Sequence, residues 1–178
     1  MALCLYRRVL TGLAAVLVAC GVVLAGSVAH AQVVALGASN TEGYAAGGPS
    51  AAFPAKLEAL LRAKGYNVRV ANKGVFGDTT AGMLGRLDSA VPSGTKVVIL
   101  GACEGFFNNK RRGVSEDQGR ADVVAIKNRL QARGIRMILA CRGPNMPKAS
   151  DNIHMSPEAH VMLANELLPK VMGALGKR

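Results

Sequence analysis

Aromatic and acidic residues are scarce in this chain of 178 residues. Tryptophan is absent, and aromatic residues make up only 4% of the chain. The 22 lysines and arginines outnumber the 11 acidic residues, which gives a formal net charge of +11 at pH 7. Binding of single-stranded nucleic acid depends on aromatic side chains on which bases stack, and here the basic residues are also scattered. We therefore expect no nucleic-acid partner, and at most a weak association with an anionic membrane surface.

Residues that bind metals are few as well. The chain has four cysteines and three histidines, and only His154 and His160 follow residue 31. It contains no Cys-x-x-Cys pair, so the ligand spacing typical of a zinc site is missing. The sequence predicts no metal site.

The first 31 residues have the pattern of a secretory signal peptide. Arg7 and Arg8 precede an apolar run over residues 9–29, and Ala29-His30-Ala31 fits the small-x-small cleavage pattern. We predict cleavage after this tripeptide, which leaves one mature domain over residues 32–178 in the periplasm or outside the cell. Two of the 22 basic residues and none of the acidic ones precede residue 32, so the mature net charge is +9.

A second pattern in the same segment competes with cleavage at residue 31. Leu17-Val18-Ala19-Cys20 resembles a bacterial lipobox, which would make the protein a lipoprotein anchored through Cys20. The residues after Cys20 stay apolar, unlike a solvated tether, and this favours the cleaved signal peptide. Both interpretations imply export.

Beyond residue 31, short apolar segments alternate with helical patterns. Strands are predicted at residues 32–36, 68–70, 96–100 and 135–140. Helices are predicted through Phe53, Leu57, Leu60 and Leu61, through Met83, Leu84 and Leu87, through Val123, Ile126 and Leu130, and from the N-cap Ser156 to Val171. This alternation favours a parallel sheet with right-handed crossovers. We predict an α/β fold, a compact three-layer α/β/α sandwich with a small parallel sheet of about four strands.

A serine directly follows the first predicted strand. The apolar segment that begins at Val33 runs into a tight turn of small residues that carries Ser39, and the carboxyl ends of strands are where open α/β sheets bind ligands. Asp151 and His154 follow the last predicted strand. Each residue alone commonly caps a turn or packs in a core. Together, in the chain order Ser, Asp, His, they indicate a hydrolase with a nucleophile, a base and an orienting acid.

Four ordered segments resemble the sequence blocks of the SGNH, or GDSL-type, hydrolases, especially the small periplasmic thioesterase–lysophospholipase and arylesterase members. Gly37-Ala38-Ser39-Asn40-Thr41-Glu42-Gly43 is similar to G-D-S-N-T-x-G, and Asn72-Lys73-Gly74-Val75-Phe76-Gly77-Asp78-Thr79 resembles the second block. Leu100-Gly101-Ala102-Cys103-Glu104-Gly105 is similar to L-G-x-N-D-G, and Asp151-Asn152-Ile153-His154 matches D-x-x-H. The resemblance covers nearly all of the mature chain.

The resemblance implies a flavodoxin-like SGNH-hydrolase fold and assigns roles to residues. Ser39 is then the nucleophile, His154 the base and Asp151 the acid that orients the imidazole, while the amides of Ser39 and Gly77 form the oxyanion hole. It implies an exported serine esterase, similar to lipases, that cleaves carboxylic esters or thioesters through an acyl-enzyme intermediate. Small acyl esters, thioesters and lysophospholipid-like lipids are the expected substrates, and no cofactor is expected.

The sequence departs from the family pattern at the oxyanion hole. Cys103 stands where the third block has an asparagine whose side-chain amide is the third oxyanion donor, and a thiol is a weak donor. Loss of one such donor costs about 10²–10³ in turnover. Asn108 and Asn109 are candidates to replace it. The departure also supports an alternative function, a catalytically weak or inactive SGNH-fold binding protein of the cell envelope.

Three further expectations concern polar residues and sulfur. Cys103 and Cys141 both follow strands that should be neighbours, and an exported protein meets an oxidising compartment, so we hypothesise a disulfide between them, with two free thiols as the alternative. Glu104 is expected as a solvated loop carboxylate, with an acid/base group as the alternative. The Lys110-Arg111-Arg112 run is typical of a solvated loop, and docking of an anionic headgroup there is the alternative.

Overall fold

The structure is a computed structural model that describes residues 32–176. The predicted signal peptide and the alternative lipid anchor at Cys20 lie outside the described residues. Within residues 32–176, no helix combines the length and the apolar character that a membrane span requires.

Four parallel strands form one sheet in the order β2-β1-β3-β4. The strands are β1 (Val33–Gly37), β2 (Val70–Gly74), β3 (Val97–Leu100) and β4 (Arg136–Leu139). The helices of the described residues are α1 (Ser39–Glu42), α2 (Phe53–Ala63), α3 (Thr80–Gly85), α4 (Leu87–Ala90), α5 (Ala102–Arg111), α6 (Glu116–Ala132) and α7 (Pro157–Leu175).

Helices cover both faces of the sheet, because the two central strands are apolar on both sides. Successive strand residues point to opposite faces. Val33 and Ala35 of β1 therefore pack with Leu57 of α2 and Leu167 of α7. On the other face, Val34 and Leu36 belong to a cluster with buried residues of α3, α4 and α6, namely Met83, Leu87, Ile126 and Leu130. This arrangement confirms the predicted three-layer α/β/α fold with a four-stranded parallel sheet.

Two element boundaries differ from the prediction. The second strand runs from Val70 to Gly74, well beyond residue 70, because it pairs in register with β1 as far as Gly37↔Gly74. The expected single helix through Met83, Leu84 and Leu87 is divided into α3 and α4 at Arg86, whose side chain turns back to hydrogen-bond Asp78 and the carbonyls of Lys73 and Gly37. Tertiary pairing sets both boundaries.

The helix α5 was not predicted, and it includes Lys110 and Arg111 and is capped by Arg112, so the expectation of a loop for the Lys110-Arg111-Arg112 run is wrong. Its buried residues are Ala102, Gly105 and Asn109, at helical spacing but without large apolar side chains. Gly105 faces α3 so closely that an added Cβ would lie 3.0 Å from the Thr80 side chain. Close packing of small residues stabilises this helix, and a hydrophobicity pattern does not detect it.

His160 is fully buried in α7, where it packs against Phe53 of α2. Its Nδ1 accepts a hydrogen bond from the Phe53 amide at 3.1 Å and so satisfies a donor at the start of α2. Its Nε2 is buried with no partner among the described residues. Desolvation by burial, with a smaller contribution from Lys56, lowers the pKa of His160 to about 4.

We expect the protein to lose stability as the pH falls from about 6.5 to about 4 because of His160. The unfolded chain takes up a proton on this imidazole near pH 6.5, whereas the folded chain does so only near pH 4. The free energy of unfolding should fall by roughly 2–3 kcal/mol across this window. Urea denaturation at several pH values measures it. The loss should be smaller in His160→Gln, whose side-chain oxygen can accept from the Phe53 amide, and equal slopes in the two proteins would contradict the assignment.

Candidate active site

Ser39 lies at the carboxyl edge of the sheet, two residues after β1 ends. It is the first residue of the one-turn helix α1 and is 8% exposed. The turn is tight, since a Cβ on Gly37 would lie 2.0 Å from Oγ1 of Thr41. The backbone therefore places the Ser39 hydroxyl at the end of a central strand, as the sequence predicted.

The structure brings the three predicted catalytic residues together. Oγ of Ser39 lies 3.1 Å from Nε2 of His154, which is 115 residues away in the sequence. Nδ1 of His154 lies 2.5 Å from Oδ2 of Asp151. Serine, imidazole and carboxylate thus form one continuous hydrogen-bonded chain, which is the arrangement that activates a serine hydroxyl.

Local hydrogen bonds hold Asp151 in place. Its Oδ1 accepts from the amides of Ile153 and His154, each at 2.9 Å, in a turn where Asn152 has a φ of 59°. The hydrogen bond from the His154 side chain is the largest cause that lowers the pKa of Asp151, to about 2. The carboxylate therefore stays charged at neutral and mildly acidic pH, where it can stabilise a cationic imidazole.

Aromatic rings and an asparagine fix the position of His154. The Tyr44 ring centroid lies 4.6 Å from the imidazole centroid, and the Phe76 centroid lies 6.2 Å from it. The Met155 amide, next in the chain, donates to Oδ1 of Asn40 at 2.7 Å. This bond joins the histidine loop directly to the helix that carries Ser39.

The amides of Ser39 and Gly77, the predicted oxyanion donors, both belong to residues that line the pocket. Neither amide donates a hydrogen bond to another described residue. Gly77 has a φ of 70°, a conformation that favours glycine. Its carbonyl accepts from Arg112 at 3.0 Å, and the next carbonyl, of Asp78, accepts from the Asn108 side chain at 2.7 Å. Two residues of the α5 region thus fasten the loop that presents the Gly77 amide.

The structure corrects the expectation of Cys103 as a weak thiol donor in the oxyanion hole. Cys103 and Cys141 form a disulfide with Cα atoms 5.4 Å apart. A disulfide sulfur carries no hydrogen, so Cys103 has nothing to donate to an oxyanion. The hypothesised disulfide agrees with the strand order, because the two cysteines follow the neighbouring strands β3 and β4.

The two candidate replacements for the missing donor are already engaged. Asn109 is buried, and its amide nitrogen donates to Oγ1 of Thr80 at 2.7 Å while its oxygen accepts from the Thr80 amide. Asn108 lines the pocket but donates to the Asp78 carbonyl. The two backbone amides of Ser39 and Gly77 therefore stay the predicted oxyanion donors, and Asn108 supports the Gly77 loop.

Reduction of the disulfide should destabilise the protein. The bridge closes a loop across 38 positions of sequence, so its loss should lower the free energy of unfolding by about 2–4 kcal/mol. Cys103 is exposed, and a thiol reductant should reach it without prior unfolding. Urea denaturation with and without reductant measures the effect, and the double variant Cys103→Ser/Cys141→Ser should not respond to reductant. Two alkylatable thiols in unreduced protein without its leader would show that the bridge is absent.

Glu104 has a structural role that the sequence did not reveal, and the expectation of a solvated carboxylate is wrong. Its Oε2 accepts hydrogen bonds from the amides of Ala38, Asn40 and Thr41 at 2.8–3.2 Å, and its Oε1 accepts from Oγ1 of Thr41 at 2.6 Å. The side chain keeps some exposure at the pocket, but desolvation of the carboxylate raises the pKa of Glu104, against the opposing effect of these hydrogen bonds.

Glu104 thus acts as the N-terminal cap of the helix that carries Ser39. Ala38, the N-cap residue of α1, has no side-chain acceptor, and the family pattern has an acidic residue at this position. Two departures from the family blocks were the signal for this role in the sequence. Ala38 stands where the first block has an aspartate, and Glu104 stands where the third block has one. A longer carboxylate 66 residues away supplies the acceptor that the N-cap lacks.

The site lies in a pocket of about 600 Å³. It is lined by Ser39, His154, Gly77, the ring of Phe76 and several basic side chains. A second, shallower and mostly apolar depression, lined by residues 42–45 and 47–49, meets the pocket at Phe76. A substrate at Ser39 is therefore flanked by a polar, basic region on one side and an apolar one on the other.

Comparison with known proteins agrees with this geometry. Residues 35–176 match the model of the GDSL-like Lipase/Acylhydrolase family. No curated protein sequence matches the chain significantly. Among solved structures, AlinE4, an SGNH-hydrolase family esterase, is 30% identical over 79% of this chain and 70% of its own, with a TM-score of 0.54.

Two further structures have the same fold at lower identity. TesA is 18% identical, with a TM-score of 0.66 over 80% of this chain and 99% of its own. The psychrotrophic esterase EstA from Pseudoalteromonas sp. is 16% identical, with a TM-score of 0.65 over 82% of this chain and 98% of its own. The individual roles of Ser39, Asp151 and His154 remain predictions supported by their geometry. With a family model matched over residues 35–176 and this fold, the chain belongs to the GDSL-like lipase/acylhydrolase family and is an SGNH-type ester hydrolase.

Proposed function

We propose that the protein cleaves carboxylic esters or thioesters through an acyl-enzyme intermediate on Ser39. The observation that carries the proposal is the hydrogen-bonded chain from Ser39 Oγ through the His154 ring to Asp151. An ester carbonyl needs an activated hydroxyl, a base and donors where negative charge develops. All three lie around one pocket at the carboxyl edge of the sheet.

In the first half-reaction, Ser39 Oγ attacks the carbonyl carbon while His154 Nε2 takes the hydroxyl proton. The carbonyl oxygen becomes an oxyanion at the amides of Ser39 and Gly77. Collapse of the tetrahedral intermediate breaks the bond to the alcohol or thiol, which leaves with the proton held by His154. The product is acyl-Ser39, and the imidazole is neutral again.

In the second half-reaction, water replaces the alcohol. His154 removes a proton from the water as its oxygen attacks the acyl carbon, and Ser39 leaves with that proton while the carboxylic acid is released. Asp151 stays ionised and holds the imidazole in the orientation that places Nε2 at Ser39. No step calls for a metal or an organic cofactor.

The acyl group is best accommodated beside Tyr44 and Phe76. These rings, 4.7 Å apart between centroids, lie against His154 and border the apolar depression. Both side chains are substantially exposed, so the surface is shallow and suits small acyl groups. The shallow surface supports short acyl esters and thioesters over lysophospholipid-like lipids as substrates.

A trapping experiment tests the acyl-enzyme. Residues 32–178 are incubated with a nitrophenyl phosphonate, and tryptic peptides are examined by mass spectrometry. We expect one stoichiometric adduct, on Ser39, formed together with loss of nitrophenyl acetate hydrolysis. An unlabelled Ser39 and no hydrolysis above the buffer rate would instead favour the catalytically inactive, SGNH-fold binding protein, a function that the missing third oxyanion donor would suit.

Export remains part of the proposal. The leader pattern over residues 1–31 supports a cleaved signal peptide and a periplasmic or secreted enzyme. N-terminal sequencing of the full chain expressed in a bacterium should give Gln32 as the first residue. Incorporation of labelled lipid that disappears in Cys20→Ala would show a lipoprotein instead.

A further inference from the structure

Four cationic side chains line the pocket that holds Ser39 and His154. Arg111 and Arg112 come from the end of α5, and Arg142 and Lys148 come from the segment between β4 and α7. The only carboxylate in the described lining is Glu104, whose oxygens are occupied by the amides and hydroxyl of the serine turn. The pocket that holds Ser39 and His154 therefore has an excess of positive charge in its lining.

None of these four cations forms an ion pair with a carboxylate of the described residues. Arg112 and Arg142 donate to the backbone carbonyls of Gly77 and Met146, and the Arg111 guanidinium lies 5.8 Å from the centre of the Phe107 ring. Elsewhere in residues 32–176, five basic side chains pair with carboxylates at 2.7–3.7 Å, namely Arg62, Arg86, Arg120, Arg133 and Lys170, while others such as Lys127 and Arg129 do not. The four cations of the pocket thus have no ion-pair partner within the described structure, and they outnumber the one carboxylate of the lining.

A concave site lined by charge of one sign concentrates ligands of the opposite sign and orients them. Guanidinium groups in particular bind carboxylate and phosphate groups with paired hydrogen bonds. A merely solvated basic surface would spread its charge over the whole molecule. Here the four cations come from two separate segments and meet at the one cavity that holds the predicted nucleophile.

We propose that the natural substrate is an anionic ester, with a carboxylate or phosphate group close to the ester bond, which these cations bind. The inference rests on the proposed esterase function and adds its substrate class. The anionic group belongs to either the acyl or the alcohol part of the ester.

Two matched pairs of esters test it. In the first pair the charge is on the alcohol part, with 4-acetoxybenzoate compared with 4-acetoxybenzamide. In the second it is on the acyl part, with the mono-4-nitrophenyl ester of adipic acid compared with its terminal amide. Each kcat/KM is divided by the rate of alkaline hydrolysis of the same ester, which removes differences in intrinsic reactivity.

We expect the anionic member of at least one pair to be preferred by about tenfold or more at low salt, mainly through KM. At about 0.5 M NaCl the preference for the anionic ester should shrink severalfold, because salt screens exposed charges. In Arg111→Gln/Lys148→Gln it should fall to about threefold or less, with the neutral esters hydrolysed as before. Lys127→Gln/Arg129→Gln, which removes two exposed charges from α6 outside the pocket, is the matched control and should keep the preference.

The outcomes separate the two proposals. Hydrolysis of all four esters without preference for the anionic member of either pair would overturn the anionic substrate and leave the esterase function intact. An equal loss of preference in the α6 control would show a general effect of net charge and would also overturn the inference. Inactivity towards all four esters would overturn the proposed function, and this inference with it.

Discussion

Replacement of Ser39 by alanine should lower kcat for a short-chain nitrophenyl ester by about 10⁴-fold or more. The variant has no nucleophile within reach of His154, so only the oxyanion amides and substrate binding still contribute. His154→Ala should cost about as much, because Ser39 then lacks the base that lies 3.1 Å from its hydroxyl. The double variant should be no slower than either single variant, since the two residues act as one unit.

Replacement of Asp151, the acid that orients His154, tests the same hydrogen-bonded chain at its other end. Asp151→Asn keeps the size of the side chain but presents an amide where His154 needs an acceptor at Nδ1, and comparable changes cost about 10⁴-fold. Ser150→Ala, at the exposed residue before Asp151, is the matched control and should be as active as the unmodified protein. A folded Ser39→Ala variant that retains a tenth of the activity would remove Ser39 from the mechanism.

Truncation of Glu104 should have the largest effect on stability. Glu104→Ala leaves three backbone amides and the Thr41 hydroxyl without their acceptor. Each unsatisfied buried group costs about 1–3 kcal/mol, and water entering from the pocket recovers part of that. We expect the free energy of unfolding to fall by roughly 3–5 kcal/mol, measured by urea denaturation, and hydrolysis to weaken because the Ser39 turn loses its cap.

Glu104→Gln is the matched control for shape. Its side-chain oxygen can accept from the amides and its nitrogen can donate to Thr41, so we expect the free energy of unfolding to change by no more than about 1 kcal/mol.

Because burial raises the pKa of Glu104 above its unfolded value of 4.5, the folded chain holds this proton to a higher pH than the unfolded chain does. The unmodified protein should therefore lose stability relative to Glu104→Gln as the pH rises above about 4.5. Equal stability of Glu104→Ala and the unmodified protein would show that water replaces the carboxylate.

The parts of the molecule that were predictable have strong local signals. The apolar strand before Ser39 and the Ser156-Pro157 start of α7 each depend on neighbours within a few residues. Their physical causes, side-chain periodicity and helix capping, act over the same short range. The sequence blocks that contain Ser39 and His154 could therefore be recognised in order along the chain.

Other features depended on residues that are distant in the sequence. The end of β2 depends on its pairing with β1, and the helix α5 depends on the close approach of Gly105 to Thr80. The role of Glu104 depends on the Ala38 turn 66 residues away. In each case the side chains are small, or the contact is one hydrogen-bonding partner, so the local pattern contains little information.

The sequence alone predicted the fold class, the family and the candidate catalytic residues, because periodicity and ordered motifs reflect preferences of short segments. The tertiary structure decided how these residues meet. It places Ser39 within hydrogen-bonding distance of His154, and it brings Glu104 onto the serine turn as a cap. It also joins Cys103 to Cys141, which leaves Cys103 without a hydrogen to donate, and it gathers four unpaired cations at one pocket. These depend on how the segments pack in three dimensions, and a single sequence does not contain the register and spacing of contacts across 38 to 115 positions.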